Sequence, residues 1–241
     1  MRKLFVFAIL ASVFVNQSCD FIHMETIHGN GNMSSENRNI SEASRIKSRG
    51  SFDVKIVQGS TPSIKIEADA NLIPYILTDM EDGALVIHTK DHVGLSSDHK
   101  ITVYVTTDKV EEVEVNGSGD VTADAKIAGG DHLKLGIYGS GNMKLDVNTP
   151  KTESTIAGSG DITLTGETKD SKIEIDGNGN YKAEDLQSEN TEVHINGSGN
   201  ARLACSVKLE IHIAGSGDVY YKGSPSITQH VAGSGNIQQI Q

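Results

Sequence analysis

A five-residue phrase built on Gly-Ser-Gly recurs seven times in the C-terminal half of this 241-residue chain. It runs Asn116-Gly-Ser-Gly-Asp120, Tyr138-Gly-Ser-Gly-Asn142, Ala157-Gly-Ser-Gly-Asp161, Asp176-Gly-Asn-Gly-Asn180, Asn196-Gly-Ser-Gly-Asn200, Ala214-Gly-Ser-Gly-Asp218 and Ala232-Gly-Ser-Gly-Asn236. The first glycines stand at 117, 139, 158, 177, 197, 215 and 233, which gives steps of 22, 19, 19, 20, 18 and 18 residues. A period near 19 that tolerates small insertions is the mark of stacked, equivalent coils.

Each unit has one grammar. Counted from the first glycine, positions −4 and −2 are apolar (Ile173 and Ile175, Val193 and Ile195, Ile211 and Ile213), as are most of positions +4 and +6 (Ile162 and Leu164, Met143 and Leu145, Val219 and Tyr221). Two short strands with alternate residues inward therefore flank a tight glycine corner. Glycine supplies positive φ, and its lack of Cβ lets successive corners stack about 4.8 Å apart. The expected fold is all-β: a parallel β-helix, right-handed because parallel crossovers are overwhelmingly so. Seven coils predict a rod about 30 Å long.

The expected organisation has four parts. Residues 1–18 form a signal peptide, with Arg2 and Lys3 followed by an apolar run from Leu4 to Val15 that is too short to span a bilayer. Residues 19–45 hold the lipid attachment and an Asn/Ser/Gly-rich tether. Ser18-Cys19 resembles a lipoprotein cleavage site, with Cys19 acylated, although Asn16 stands where such sites usually carry Leu; simple secretion with an incidental Cys19 is the alternative. Residues 46–112 form a strand-rich cap with one short helix over Asn71–Met80, and 113–241 the repeat. His28-Gly-Asn-Gly-Asn32 and Gly50-Ser-Phe-Asp53 echo the phrase, so the stack is open to an earlier start.

Losing Arg2 and Lys3 with the signal takes the formal charge from −11 to about −13. Such a chain repels nucleic acid and anionic head groups, so membrane contact is expected through the lipid alone. Cys205 has no partner if Cys19 is lipidated, and is expected to be a buried, inert thiol.

The Gly-Ser-Gly-Asp/Asn corners, the opening Gly50-Ser-Phe-Asp-Val-Lys-Ile-Val-Gln-Gly59 and the lipoprotein-like leader together resemble the family described as putative auto-transporter adhesin, head GIN domain. The resemblance covers residues 45–236. It implies a right-handed β-helix, an envelope location in Gram-negative bacteria and an adhesive role, and it brings no catalytic or ligand-binding residues.

Two columns carry candidate chemistry. The first follows the second glycine: Asp120, Asn142, Asp161, Asn180, Asn200, Asp218 and Asn236. Stacked carboxylates could bind Ca²⁺; the structural alternative has each side chain closing its own corner and an amide ladder running between coils. The second is Glu174, His194, His212 and His230, all at position −3 and so outward on four successive coils. Spaced about 4.8 Å apart, they could share a Zn²⁺ or titrate together, or simply be solvated.

No cofactor is implied. A hydrolase elbow and a phosphate loop both need a following helix, which seven recurring corners deny. Arg202 is the only arginine of the repeat half, which argues against a polysaccharide-cleaving groove. The expectation is a non-enzymatic envelope lipoprotein of the outer membrane that binds a glycan or a cell-surface protein. Self-association through exposed β edges, as a scaffold or homo-oligomer, is the other expectation.

Overall fold

The computed structural model describes residues 25–241. The predicted signal segment and Cys19 lie outside the described residues. Within them, four long strands, Met143–Gly158, Asp161–Gly177, Asn180–Gly197 and Asn200–Gly215, each run round one coil and pair in parallel with the next. The result is a β-solenoid, and its register is the one the repeat dictates: Gly158 lies beside Gly177, and Gly177 beside Gly197.

Alternation sends every second side chain inward. Ile137, Ile156, Ile175, Ile195 and Ile213 stack as one fully buried ladder. β-Branched side chains suit this site because their restricted χ1 packs identically from coil to coil. Each stabilises by about 1.5–3 kcal/mol relative to exposure.

The alternation breaks at Pro150-Lys151 and at the equivalent places in later coils, where two successive residues face out and the chain turns a second corner. Inside that corner sit Thr149, Thr168, Ser188 and Cys205. Thr149 Oγ1 donates to the Gly130 carbonyl at 3.0 Å, and Thr168 Oγ1 to that of Asp170 at 3.2 Å. The Cys205 thiol takes the same place, donating toward the Lys208 carbonyl at 3.0 Å. Cys205 is thus buried, and it acts as the sulfur version of its neighbours' hydroxyls.

The stack begins one coil earlier than the seven phrases. Arg45–Gly50 pairs in parallel with Glu112–Gly117, placing Gly50 beside Gly117, and Asp53–Gln58 pairs with Val121–Ala123. Two walls of this first coil are then extended and closed. Ala84–Thr89 pairs in parallel with Arg45–Gly50 and antiparallel with Ile76–Glu81. Thr102–Thr107 pairs with Asp53–Gln58, and Ser63–Asp69 and Met33–Asn39 follow in antiparallel order.

Two expectations need correction. The helix over Asn71–Met80 is one 3-10 turn at Ile73–Tyr75, followed by the strand Ile76–Glu81. Pro74 stands in the first turn, where its missing N–H costs nothing, and the turn ends because Ile76 is already extended; Asp82-Gly83, both at positive φ, forms the hairpin turn that recruits Ile76–Glu81 to the sheet. The tether is likewise ordered from Glu25 onward: Glu25–His28 pairs with Val93–Ser96, and Met33–Asn39 forms an edge strand. Its polar sequence fits an edge, whose side chains stay in water while its backbone pairs on one side. Arg38 pins it, donating to the Ile76 carbonyl at 2.7 Å and to Thr78 Oγ1 at 3.1 Å. No helix among the described residues is long and apolar enough to cross a membrane.

Candidate functional site: corners and outward walls

At the corners, the first glycine of each phrase holds φ between +130° and +148°. A Cβ there would stand 2.0–2.5 Å from the carbonyl oxygen of the corresponding glycine one coil back. In the middle coils that carbonyl also accepts two N–H groups from the next corner: Gly158 O receives Asn178 N–H at 2.9 Å and Gly179 N–H at 3.1 Å. Glycine is therefore required both for its backbone angle and for the approach between coils.

The Asp/Asn column is a ladder. Asn142 donates its backbone N–H and its Nδ2–H to Asp120 Oδ1, at 3.1 and 2.9 Å. Asn180 does the same to Asp161 Oδ1, at 3.1 and 2.8 Å. Asn200 Nδ2–H donates to Asn180 Oδ1 at 3.1 Å, Asp218 N–H to Asn200 Oδ1 at 3.0 Å, and Asn236 N–H to Asp218 Oδ1 at 2.8 Å. Asp161 N–H reaches Asn142 Oδ1 at 3.3 Å. Asp53 starts the column by accepting Asp120 N–H at 3.1 Å. The expected closure of each side chain on its own backbone is thus corrected: each carboxylate or amide caps the next coil. Burial raises the Asp161 pKa, but Lys182 Nζ at 2.5 Å and the two Asn180 donors outweigh it and hold the carboxyl below its ordinary range.

The position −3 column forms as the register predicts, with Glu174 beside His194, His194 beside His212 and His212 beside His230. The rings of His194 and His212 lie face to face, 4.8 Å between centroids and 4° from parallel, whereas His230 is tilted by 47° at 6.4 Å. His194 Nε2 lies 2.6 Å from Glu192 Oε1, and His212 Nε2 lies 3.2 Å from Glu210 Oε1. These nitrogens turn to the neighbouring carboxylates and do not converge. Among the described residues no group of three His, Cys, Asp or Glu is placed to hold a metal. The register builds a stack here, not a chelate.

Beside it runs a column at position −5 whose sign alternates from Arg45 through Glu112, Lys134, Glu153 and Lys172 to Glu192 and which ends on a second carboxylate, Glu210. Arg45 Nε meets Glu112 at 2.7 Å, and Lys172 Nζ meets Glu174 at 2.7 Å. A trough of about 220 Å³ lies along this wall, lined by Lys151, Asp170, Lys172, Glu192, Lys208 and Glu210 among others. It is open, charged and mutually neutralised, unlike an enclosed apolar ligand pocket.

Sequence reasoning missed a third feature. Buried Tyr181 projects across the interior toward the Ser154 and Ser171 hydroxyls of earlier coils; no hydrogen bond of ordinary geometry joins the three, yet the two serines are near enough to act on the phenol and lower its pKa against burial. Desolvation pushes the phenol pKa up to about 12. Ser154 stands in a column otherwise held by Leu135, Ile173, Val193 and Ile211, so a small side chain makes room for the ring.

A family profile described as "Putative auto-transporter adhesin, head GIN domain" matches residues 44–225. No curated protein matches the chain. Among solved structures, a putative adhesin from Bacteroides fragilis is 21% identical with a TM-score of 0.82, covering 89% of this chain and 100% of its own. A putative lipid binding protein from Parabacteroides distasonis is 26% identical with a TM-score of 0.75, covering 90% and 100%. A putative adhesin from Parabacteroides merdae is 25% identical with a TM-score of 0.68, again covering 90% and 100%.

Proposed function

Because the chain belongs to the head GIN domain family of putative auto-transporter adhesins, we propose that it is a non-enzymatic envelope protein, anchored in the outer membrane by a lipid on Cys19, that binds a glycan or a protein along its solenoid walls. The observation that carries this reading is the absence of convergence. The walls offer long, flat, register-locked columns of polar side chains, and the Asp/Asn corner column is consumed in holding the coils together. Flat repetitive surfaces suit many weak contacts made at once. Treating intact cells with a membrane-impermeant protease tests it: digestion of the solenoid from outside supports adhesion. Protection until the outer membrane is opened refutes the adhesive role.

One observation favours self-association as a second reading. Residues 223–241 contain no Asp, Glu, Lys or Arg. Ile227 and Val231, in register with buried Leu209 and Ile213, are 37% and 38% exposed. Edges that resist pairing usually carry charge. Sedimentation over a range of concentrations distinguishes a monomer from an end-to-end dimer.

A further inference from the structure

The wall that follows the glycine corners carries a column unlike any other on the molecule. At position +5 from the first glycine, register places Lys55, Thr122, Lys144, Thr163, Lys182, Arg202 and Tyr220 in one outward line. Tyr104 continues it on the capping side, in register with both Lys55 and Lys65. No carboxylate occupies this line, although the chain as a whole is strongly acidic. The wall on the other side of the corner instead carries both signs and pairs them, as in Arg45–Glu112 and Lys172–Glu174.

The cations recur on alternate coils. Lys55, Lys144 and Lys182 are two coils apart, about 9.6 Å from the strand spacing, and Arg202 is one coil beyond. Lys55 and Lys144 make no ion pair with a carboxylate among the described residues. Lys182 and Arg202 are braced from the sides, by Asp161 at 2.5 Å and Glu184 at 2.6 Å. Aromatic rings stand at both ends: Lys55 and Lys65 lie over Tyr104 at 5.9 and 5.3 Å, and Arg202 over Tyr220 at 5.0 Å. From Tyr104 to Tyr220 the line runs about 34 Å at the strand spacing.

We infer that this column is a binding track for a linear acidic polysaccharide with about one carboxylate or sulfate per disaccharide. The inference rests on the binding-module reading above and names its ligand class. Charges on alternate coils match a polymer whose acid groups alternate with neutral sugars, and Thr122 and Thr163 between them offer hydroxyls to the neutral residues. Tyr104 and Tyr220 hold the Lys55, Lys65 and Arg202 side chains in place at the two ends of the line. A nucleic acid fits worse. Its phosphates recur every ~1.7 Å of duplex axis, and the Asp53, Asp120, Asp161 and Asp218 carboxylates flanking the track would repel so dense a charge.

Calorimetric titration of the full chain with a hyaluronan oligosaccharide tests this, with dextran of similar length as the neutral probe and single-stranded DNA as the dense polyanion. The expected result is binding of hyaluronan, weakening as salt rises, with little heat from dextran or DNA. The double variant Lys144→Gln/Lys182→Gln should lose about tenfold in affinity, since two exposed charge contacts are removed. Lys144→Arg/Lys182→Arg should keep it, and so should Lys134→Gln/Lys208→Gln on the wall across the corner. Circular dichroism verifies that each variant folds. No hyaluronan binding at low salt, or binding indifferent to the Lys144/Lys182 pair, overturns the track. Tighter binding of DNA than of hyaluronan overturns the ligand class. If dextran binds and the double variant retains that binding, the track falls while the binding-module reading stands.

Discussion

Substituting Gly177 by Ala isolates the physical requirement on which the stack depends. Gly177 sits at φ +130°, a conformation that residues with a Cβ rarely adopt, which costs about 1–3 kcal/mol. The new methyl would also stand 2.5 Å from Gly158 O and 3.3 Å from the Gly158 carbonyl carbon and nitrogen. Relieving that contact means separating two coils whose corner carbonyl already accepts Asn178 N–H at 2.9 Å and Gly179 N–H at 3.1 Å. Overpacking of this kind costs a further ~1–3 kcal/mol. The expected loss is therefore about 2–6 kcal/mol, a large share of the ~5–15 kcal/mol that holds an ordinary domain. Asn178→Ala, one residue on at an exposed position, should stay within about 0.5 kcal/mol. Equilibrium denaturation in guanidinium, followed by far-ultraviolet circular dichroism, measures both variants. If Gly177→Ala leaves the midpoint unchanged, or if Asn178→Ala costs as much, close approach of the corners is not what demands glycine.

Tyr181→Phe removes a buried hydroxyl that faces Ser154 and Ser171 without a hydrogen bond of ordinary geometry, so stability should change by less than about 1 kcal/mol, whereas Tyr181→Ala should lose about 3–5 kcal/mol through the cavity it leaves; denaturant midpoints for the pair decide this, and a large loss with Phe would show that the serines bond the phenol. Asp161→Ala orphans the Asn180 N–H and Nδ2–H and should cost about 1–3 kcal/mol, while Asp161→Asn retains an acceptor and should cost less; equal losses in thermal melts would refute the ladder. Acid should destabilise the fold only at low pH. The Lys182 and Asn180 contacts hold the Asp161 carboxyl below its ordinary range against burial, and the Lys151 and Lys208 ammonium groups do so for Glu153 and Glu210. A carboxyl whose folded pKa is depressed contributes stability that is present above its unfolded value, near 4, and is lost as pH falls through the folded value. The melting temperature should therefore fall below about pH 4, and a steady rise from pH 5 to pH 3 would contradict these shifts.

Much of the architecture was legible because the solenoid writes its register directly into the spacing of its glycines. Position −3 sets Glu174, His194, His212 and His230 at the same place in successive coils, and the strand pairing has that register. Spacing predicts the ladder between coils but not the direction of each hydrogen bond, so the part of the expectation that closes each corner on its own backbone fails where the side chains reach along the axis. The first coil is marked only by the echo Gly50-Ser-Phe-Asp53, in which Phe52 replaces the second glycine, so spacing leaves its start open. That substitution has a physical reason: a Cβ at this position points toward the preceding coil, as Gly119 toward Phe52 O, and Phe52 belongs to the first coil of the stack. The signal for the hairpin was present in Asp82-Gly83, but the apolar run from Leu72 to Leu77 drew attention to a helix instead. The cation line at position +5 was equally visible in the spacing, since Lys55, Lys144, Lys182 and Arg202 all stand five residues after a first glycine.

The division of labour between corners and walls explains why such a fold can acquire a binding face without losing stability. Glycine, the Asp/Asn ladder and the inward isoleucines satisfy the backbone and fill the core, so they are constrained at each coil by contacts above and below. Outward residues at −5, −3 and +5 touch column neighbours, adjacent outward side chains and water, and exposed substitutions of this sort usually change stability by less than about 0.5 kcal/mol. Their identity is then free to differ from coil to coil. Where it differs without pattern it fixes nothing, but the two walls here do not. One pairs Glu with Lys or His along its length, at 2.6 Å between His194 and Glu192 and 2.7 Å between Lys172 and Glu174. The other keeps Lys55, Lys144, Lys182 and Arg202 in a single line with no carboxylate among them. Asp161 and Glu184 account for Lys182 and Arg202, but Lys55 and Lys144 have no carboxylate partner among the described residues, and packing alone gives no reason to set them in the same line. A ligand of opposite charge, repeating at the same interval, does.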